Sequence, residues 1–245
     1  MERTPSAPAV ANGHASPSPS PSPRKRRRSE RDDKNDADSP DALLAVQPGQ
    51  KAPVDTSSAE RAVHSLLLAL GEDPSRPGLD STPRRVALMF SELLSGYRVD
   101  ATALLNGAIF NEAATDAVHI RGIRFSSLCE HHMLTFSGRV HVAYIPDGRV
   151  IGLSKVPRIV RMFAQRLQLQ ERLTRQIAHF LNAVLRPRGV AVIVEGRHLC
   201  ASIRGVRSTD STMLTSVMLG DFRTDAALRE QLWSLFRTPS GADLF

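Results

Sequence analysis

The chain has 245 residues, 41% of them hydrophobic, a net charge of +7 and only two cysteines. That is enough apolar material to bury a core in one large or two small domains, and two cysteines exclude a disulfide framework, so reduced thiols are expected. No apolar run approaches the roughly 18 residues that span a bilayer, and the opening "MERTPSAPAV" lacks the apolar stretch of a secretory signal, which excludes a membrane protein and points to the cytoplasm.

The first 55 residues hold nine Lys and Arg against eight Asp and Glu, so the remainder keeps 23 basic against 17 acidic residues. This excess suits a polyanionic partner, phosphate-bearing small molecules included. Lys155 is the only lysine among those 23.

In chain order, residues 1–55 read as a disordered tail. They are rich in Pro, Ser and Ala ("SPSPSPSP" at 16–23) and cannot bury enough apolar surface to offset the entropy of ordering. The block Arg24 to Arg28 fits a nuclear-import or nucleic-acid patch, although such blocks are more often simply solvated. From Ser57 the apolar spacing turns helical, with Ala59, Ala62, Val63, Leu66, Leu67 and Leu70 on one stripe that stops near Gly71. A second helix is expected in "TPRRVALMFSELLSGY", capped by Thr82, with Pro83 in its first turn and Gly96 at its end. "AVHIRGIRFSSLC" and "GRVHVAYIP" read as strands, with "PDG" at 146–148 as a hairpin turn after the second. The run "CEHH" falls in the connection between these two strands.

Ser154 is placed to cap a helix through "KVPRIVRMFAQRLQ", and another helix runs from Glu171 with Leu173, Ile177, Phe180, Leu181 and Val184 facing inward. "RPRG" breaks the chain. "VAVIVEG" and "HLCASIRGV" read as two further strands before a last helix over roughly 225–236. Strand pair, helix pair, strand pair predicts an α+β fold, an antiparallel sheet with helices on one face.

The two cysteines carry the chemistry. Cys129 lies three residues before His132 in "LCEHHML", and Cys200 follows His198 by two. A Cys129, His132, Cys200 set is a borderline-soft site with three protein ligands, which leaves a fourth position open for an activated water. His131 or His198 would close the site as a fourth ligand, and two buried apolar thiols beside incidental histidines account for the same spacing without a metal. If "HLCASIR" is a strand, His198, Cys200, Ser202 and Arg204 project to one face.

A phosphate reading comes from "GLSKVPRIV", which sets Ser154, Lys155 and Arg158 at a helix start. Free N–H groups and the positive end of the helix dipole favour an anion there, although basic residues on helices usually form a solvated face. No G-x-x-x-x-G-K-[ST] run is present, which excludes a P-loop.

"LCEHHML", "HVAYIPDGRVIGLSKVPRIV", "RLQLQERLTRQIA" and "RHLCASIRGVR", in this order and spacing, closely resemble the zinc-dependent GTP cyclohydrolase I family, and "GEDPSRPGLDSTPRRVA" looks like its N-terminal helical part. The resemblance covers roughly residues 57–240. It implies conversion of GTP to 7,8-dihydroneopterin triphosphate and formate, the first step towards folates or tetrahydrobiopterin. It also implies the tunnelling fold, an antiparallel four-stranded sheet with two helices on one face, preceded by N-terminal helices. Such sheets join across subunits into a barrel, usually in a homodecamer with active sites between subunits. The chain then divides into a tail over 1–55, a helical region over 56–115 and a catalytic domain over 116–240.

By matched position the resemblance makes Cys129, His132 and Cys200 the ligands of a Zn2+ ion. It makes His198 the acid that protonates a guanine ring nitrogen, and His131 a second histidine that orients water and moves protons. Ser154 falls near the ribose. Gln170 and Glu171 fall in the guanine site, where Glu171 accepts from N1–H and the exocyclic amine, a pairing that adenine cannot offer. Taken alone, Glu171 is simply a helix first-turn carboxylate. Lys155, Arg158 and Arg204 match a triphosphate clamp, to which a neighbouring subunit adds a basic residue for which Arg84 and Arg85 are both candidates. Thr135, Ser126 and the surroundings of Cys200 in "GRHLCAS" depart from the usual pattern without touching a matched position. A non-catalytic basic zinc protein that binds nucleic acid, or a related enzyme acting on another purine or pterin, are the alternatives.

Overall fold

In the computed structural model, residues 52–237 are described. Nearly all of the expected tail, with the Arg24 to Arg28 block, lies outside the described residues. Helix α1 (Thr56–Ala69) starts on Asp55, whose Oδ1 accepts from Ser58 N at 3.0 Å, and Gly71 follows its end with φ +82°. It packs chiefly on helix α2 (Thr82–Leu93); no α1 residue is buried, and Leu66, Leu68 and Leu70 stay exposed.

Thr82, expected as the cap, is instead the first residue of α2, its Oγ1 donating to Gly78 O at 3.2 Å. Gly96, expected as the helix stop, lies beyond the end of α2 in a 3-10 turn (Ser95–Arg98), where a Cβ would stand 2.2 Å from Met162 O. That glycine permits close backbone approach rather than ending a helix. Arg166 locks the same junction. It is fully buried, with its guanidinium over the Tyr97 and Phe163 rings at 5.5 and 4.9 Å, its Nη2 donating to Gly96 O and its Nε to Met162 O. Burial lowers its pKa to about 10, so it remains a cation at neutral pH.

A short helix α3 (Ala101–Leu105) leads to β1 (Ile109–Asn111). The long strands β2 (Val118–Cys129) and β3 (Thr135–Ile145) pair antiparallel, as expected. "PDG" does not close a hairpin, because β4 (Arg149–Ile151) pairs with β1 instead of β3, making a separate two-stranded sheet. Helix α4 (Lys155–Ala164), the two-residue β5 (Leu167–Gln168) and helix α5 (Gln170–Leu185) follow. Ser154 takes the cap position of α4 but makes no capping bond.

Strand β6 (Gly189–His198) ends where the expected strand "HLCASIRGV" begins, and 199–202 form one helical turn, α6 (Leu199–Ser202). Between β3 and β7 (Met213–Gly220), β6 pairs antiparallel with both, and β7 is a strand that sequence reasoning did not assign. The short α7 (Asp221–Thr224) and α8 (Ala226–Arg237) close the described chain.

The main sheet therefore has five strands in the order β5-β2-β3-β6-β7, four antiparallel and one short parallel edge, rather than four. Helices α4 and α5 cover one face, as expected, and bury Val156, Ile159, Phe163, Leu173, Ile177 and Leu181 against Val140, Val142, Val192 and Val194. Each such side chain contributes about 1.5–3 kcal/mol through removal from water. The other face is not bare, since Leu232, Trp233 and Phe236 of α8 pack on Ala143, Ile145, Ala191 and Ile193 at one end. No helix among the described residues is long and apolar enough to cross a membrane.

Candidate metal centre and active site

Two sheet ends build the site. Cys129 is the last residue of β2 and buried, and the chain turns at once, with Met133 N donating to Cys129 O at 2.8 Å and Cys129 N to Leu134 O at 2.9 Å. Met133 takes a left-handed φ of +54° to complete the turn. Leu128 pairs with Thr135 across it, so the departure at Thr135 sits in an ordinary strand start. Across β3, His198 pairs with Phe136, and their rings stack at 4.5 Å with 4° between planes.

Because β6 stops at His198, the expected alternation of His198, Cys200, Ser202 and Arg204 on one strand face does not hold. The helical turn of α6 brings Cys200 back instead, and Cys129, His198 and Cys200 place their donor atoms within 4.8 Å of one another. His132, which the resemblance makes the third ligand, stands outside this group. Its Nε2 lies 3.1 Å from Nη2 of Arg204, the donor that its lone pair meets.

The donor set fits a zinc ion. Donors of a tetrahedral zinc lie roughly 2.0–2.3 Å from the ion, hence within about 4 Å of each other, and thiolate with imidazole suits its borderline-soft character. Burial and the neighbouring Cys129 push the Cys200 thiol above its ordinary pKa, because two adjacent thiolates repel unless a cation lies between them.

His198 is held more firmly than its sequence suggests. Gln170 donates from Nε2 to Val194 O at 3.0 Å and to Met213 O at 2.9 Å, and two carbonyl partners fix the amide orientation. Its Oε1 therefore faces His198 Nε2, at 3.0 Å, so Nε2 carries a proton and Nδ1 keeps the free lone pair. Gly196 makes room for this contact, since a Cβ there would meet Gln170 Oε1 at 2.5 Å. Thr215 completes the lattice, 3.3 Å from Gln170 Nε2 and 2.6 Å from Thr174 Oγ1. Gln170, expected to meet guanine, is 1% exposed, and in this structure its amide meets these partners and His198. Thr174, Thr215 and Gly196 were not identified from sequence; they are scattered residues without a motif. Burial lowers the His198 pKa, and the Glu171 carboxylate opposes that shift, which places Glu171 within electrostatic reach of the ring.

Glu171 is exposed in the first turn of α5, free to meet a ligand. His131 is exposed beside His132, ring centroids 6.3 Å apart. Glu130, between Cys129 and His131, is paired with Arg172, whose hydrogen bond holds its carboxyl below the usual range. The expected phosphate clamp is divided within one chain. Lys155 is 8% exposed and donates to Leu104 O at 2.8 Å, a buried contact that ties α4 to α3. Arg158 is exposed along a groove of about 430 Å³ with Asp100, Leu104, Arg161 and Gln165. Arg204 is exposed at the metal loop, and Ser154 is exposed at the start of α4.

Residues 59–237 match the profile of the family described as GTP cyclohydrolase I. Proteins named GTP cyclohydrolase 1 are similar over most of their length. That of Alkalilimnicola ehrlichii is 53% identical over 180 residues, 74% of this chain and 97% of that protein. That of Leptospira biflexa is 50% identical over 181 residues, 74% of this chain and 99% of that protein. A Synechococcus protein (strain JA-3-3Ab) is 51% identical over 179 residues, 73% and 78% of the two chains.

Proposed function

This chain belongs to the GTP cyclohydrolase I family and is a GTP cyclohydrolase I, converting GTP and water to 7,8-dihydroneopterin triphosphate and formate, and on that premise we propose how its residues share the work. The observation that carries the proposal is the convergence of Cys129, Cys200 and His198, with His132 three residues along the chain from Cys129 and in contact with Arg204. Cys129, His132 and Cys200 would hold a zinc ion, with His132 turning in from Arg204, and His198 would be the acid. When bound, zinc supplies a Lewis acid that activates water for attack on guanine C8.

The chain's own groups do the rest. Glu171 accepts from guanine N1–H and the exocyclic amine, fixing the base in plane and rejecting adenine. Gln170, by holding Nε2–H of His198, leaves the Nδ1 lone pair to take up the proton that water releases on adding to C8 and then to deliver it to the ring nitrogen as its C–N bond breaks. His131, exposed next to the ligand, orients water and accepts protons. Ser154 lies at the ribose, where rearrangement follows formate loss, and Lys155, Arg158 and Arg204 neutralise the triphosphate. Lys155 must exchange its Leu104 carbonyl for phosphate to do so, so the clamp completes only with substrate and with a neighbouring subunit, to which Arg84 or Arg85 adds charge. Exposed Leu66, Leu68, Leu70, Leu88 and Met89 on the α1–α2 hairpin, and the open edge of β7, suit a multi-subunit barrel of decameric type. Among the described residues, no structural feature favours a nucleic-acid partner. A cytoplasmic location is in keeping with this chemistry.

Glu171→Ala is the direct test of base recognition. It should raise the KM for GTP by about 10- to 100-fold, the loss of two hydrogen bonds to a carboxylate, while zinc content stays at the wild-type level. Unchanged GTP affinity would remove Glu171 from the guanine site.

A further inference from the structure

The loop that carries Cys129 and His132 is anchored by a pair the reaction does not consume. Glu130 faces Arg172 in a two-point ion pair, Nη2 to Oε1 at 3.2 Å and Nη1 to Oε2 shorter still. Arg172 stands in the first turn of α5, one residue after Glu171 and two after Gln170. A second tie lies close by, since Glu130 N donates to Gln168 O at 3.0 Å and Cys129 pairs with Gln168 across the parallel β2–β5 edge.

That two-residue ladder and the turn bonds at Cys129 fix where the loop begins and closes, and its tilt against α5 is left to a side-chain tie. The planar fork of Arg172 removes the tilt, because two parallel N–H···O bonds define an orientation as well as a distance. The side chains of Arg172 and Glu130 are 42% and 31% exposed, and ion pairs that open to water add little to folding stability. Orientation, not stability, is what such a pair offers here. Met133, held at positive φ in the same turn, shows that the loop needs constraint from outside itself.

We infer that Glu130 and Arg172 are a positioning pair that sets the tilt of the ligand loop against the first turn of α5, and so the distance between the activated water and the C8 of a guanine held by Glu171. The inference rests on the GTP reading above. Neither residue is given a contact with substrate in that reading. The pair couples the metal side of the site to the base-recognition side within one chain, through five consecutive residues: Gln168 on the loop backbone, Leu169 as the link, Gln170 on His198, Glu171 for guanine and Arg172 on Glu130.

The test compares Glu130→Gln, Arg172→Lys and the exchange variant Glu130→Arg/Arg172→Glu, each in the full chain. The readouts are thermal midpoint, zinc content, the visible spectrum of the cobalt-substituted protein without GTP, and KM and kcat for GTP. Both single variants should keep their thermal midpoint and zinc, shift the cobalt spectrum, and lose about 10- to 100-fold in kcat with KM within about threefold of wild type. Arg172→Lys keeps the charge and loses the fork, so its loss separates orientation from electrostatics. The exchange variant should regain at least about tenfold in kcat over Glu130→Gln. A kcat within about twofold of wild type in both single variants, or a cobalt spectrum unchanged in both, overturns the inference. A wild-type protein that released no formate from GTP would sink the GTP reading instead, and the cobalt spectra would still decide whether the pair orients the loop.

Discussion

Cys200→Ser, and separately Cys129→Ser, should lose zinc and at least about a thousandfold in GTP turnover, while the fold persists. The size of the effect follows from the donor set. With one thiol gone, the remaining thiol and a histidine cannot hold the ion in a site that must keep a position open for water. The fold should survive because the core between the sheet and α4–α5 is built from Val140, Val192, Ile159, Leu173 and their neighbours, not from the metal. Elemental analysis of the purified variants, beside their thermal midpoints, checks both parts. A Cys200→Ser protein that kept zinc and turnover would dismiss Cys200 as a ligand. The two positions should also differ in access: on chelation Cys200, half-buried, alkylates faster than buried Cys129.

His198→Ala should keep zinc and lose about 10²- to 10⁴-fold in ring opening, the usual value of a positioned general acid. This variant decides between two readings of the same histidine. The geometry puts its donor atom with the two thiols, where it is able to be a ligand; the resemblance gives that role to His132 and makes His198 the acid. The hydrogen bond from Nε2 to Gln170 and the stack on Phe136 favour an immobile acid, whereas His132 is exposed, meets the Arg204 guanidinium and has room to turn towards an ion. Zinc retention in His198→Ala with its loss in His132→Ala bears out the acid. Zinc loss from His198→Ala would move His198 into the ligand set.

The parts of this molecule that follow a local rule were readable in the sequence. Helical spacing located α1, α2, α4, α5 and α8, and alternation located β2, β3 and most of β6. "CEHH" was placed correctly at the β2–β3 connection, because a polar, turn-forming run between two alternating segments has few other places to go. What failed depended on tertiary context. β7 was missed because "MLTSVMLG" is short and follows a long polar loop, and its identity comes from pairing with β6 and from the Thr215 contact with Gln170 and Thr174. The turn at 199–202 was read as strand because "HLCAS" has no helix signature; the sheet simply ends at His198 and Cys200 must turn back to reach Cys129.

The same distinction runs through the site. Spacing singled out both cysteines and the three histidines near them, since metal chemistry narrows the residue types, and the structure brings Cys129, His198 and Cys200 together. It could not tell that Gln170 is buried under Gly196 or that Lys155 reaches Leu104 O, because those contacts join segments 24 or more residues apart. Assignments taken from the family by matched position carried the residue types, while the packing adds that Gln170 supports His198, a contact no matched position could give.

The central claim, a zinc-dependent opening of the guanine ring, is tested most directly by incubating the purified protein with GTP before zinc chelation, after it and after zinc is restored, following formate and pterin together. The account predicts that both products appear in step, stop on chelation and return with zinc. A zinc-loaded, oligomeric sample that released neither from GTP would contradict it.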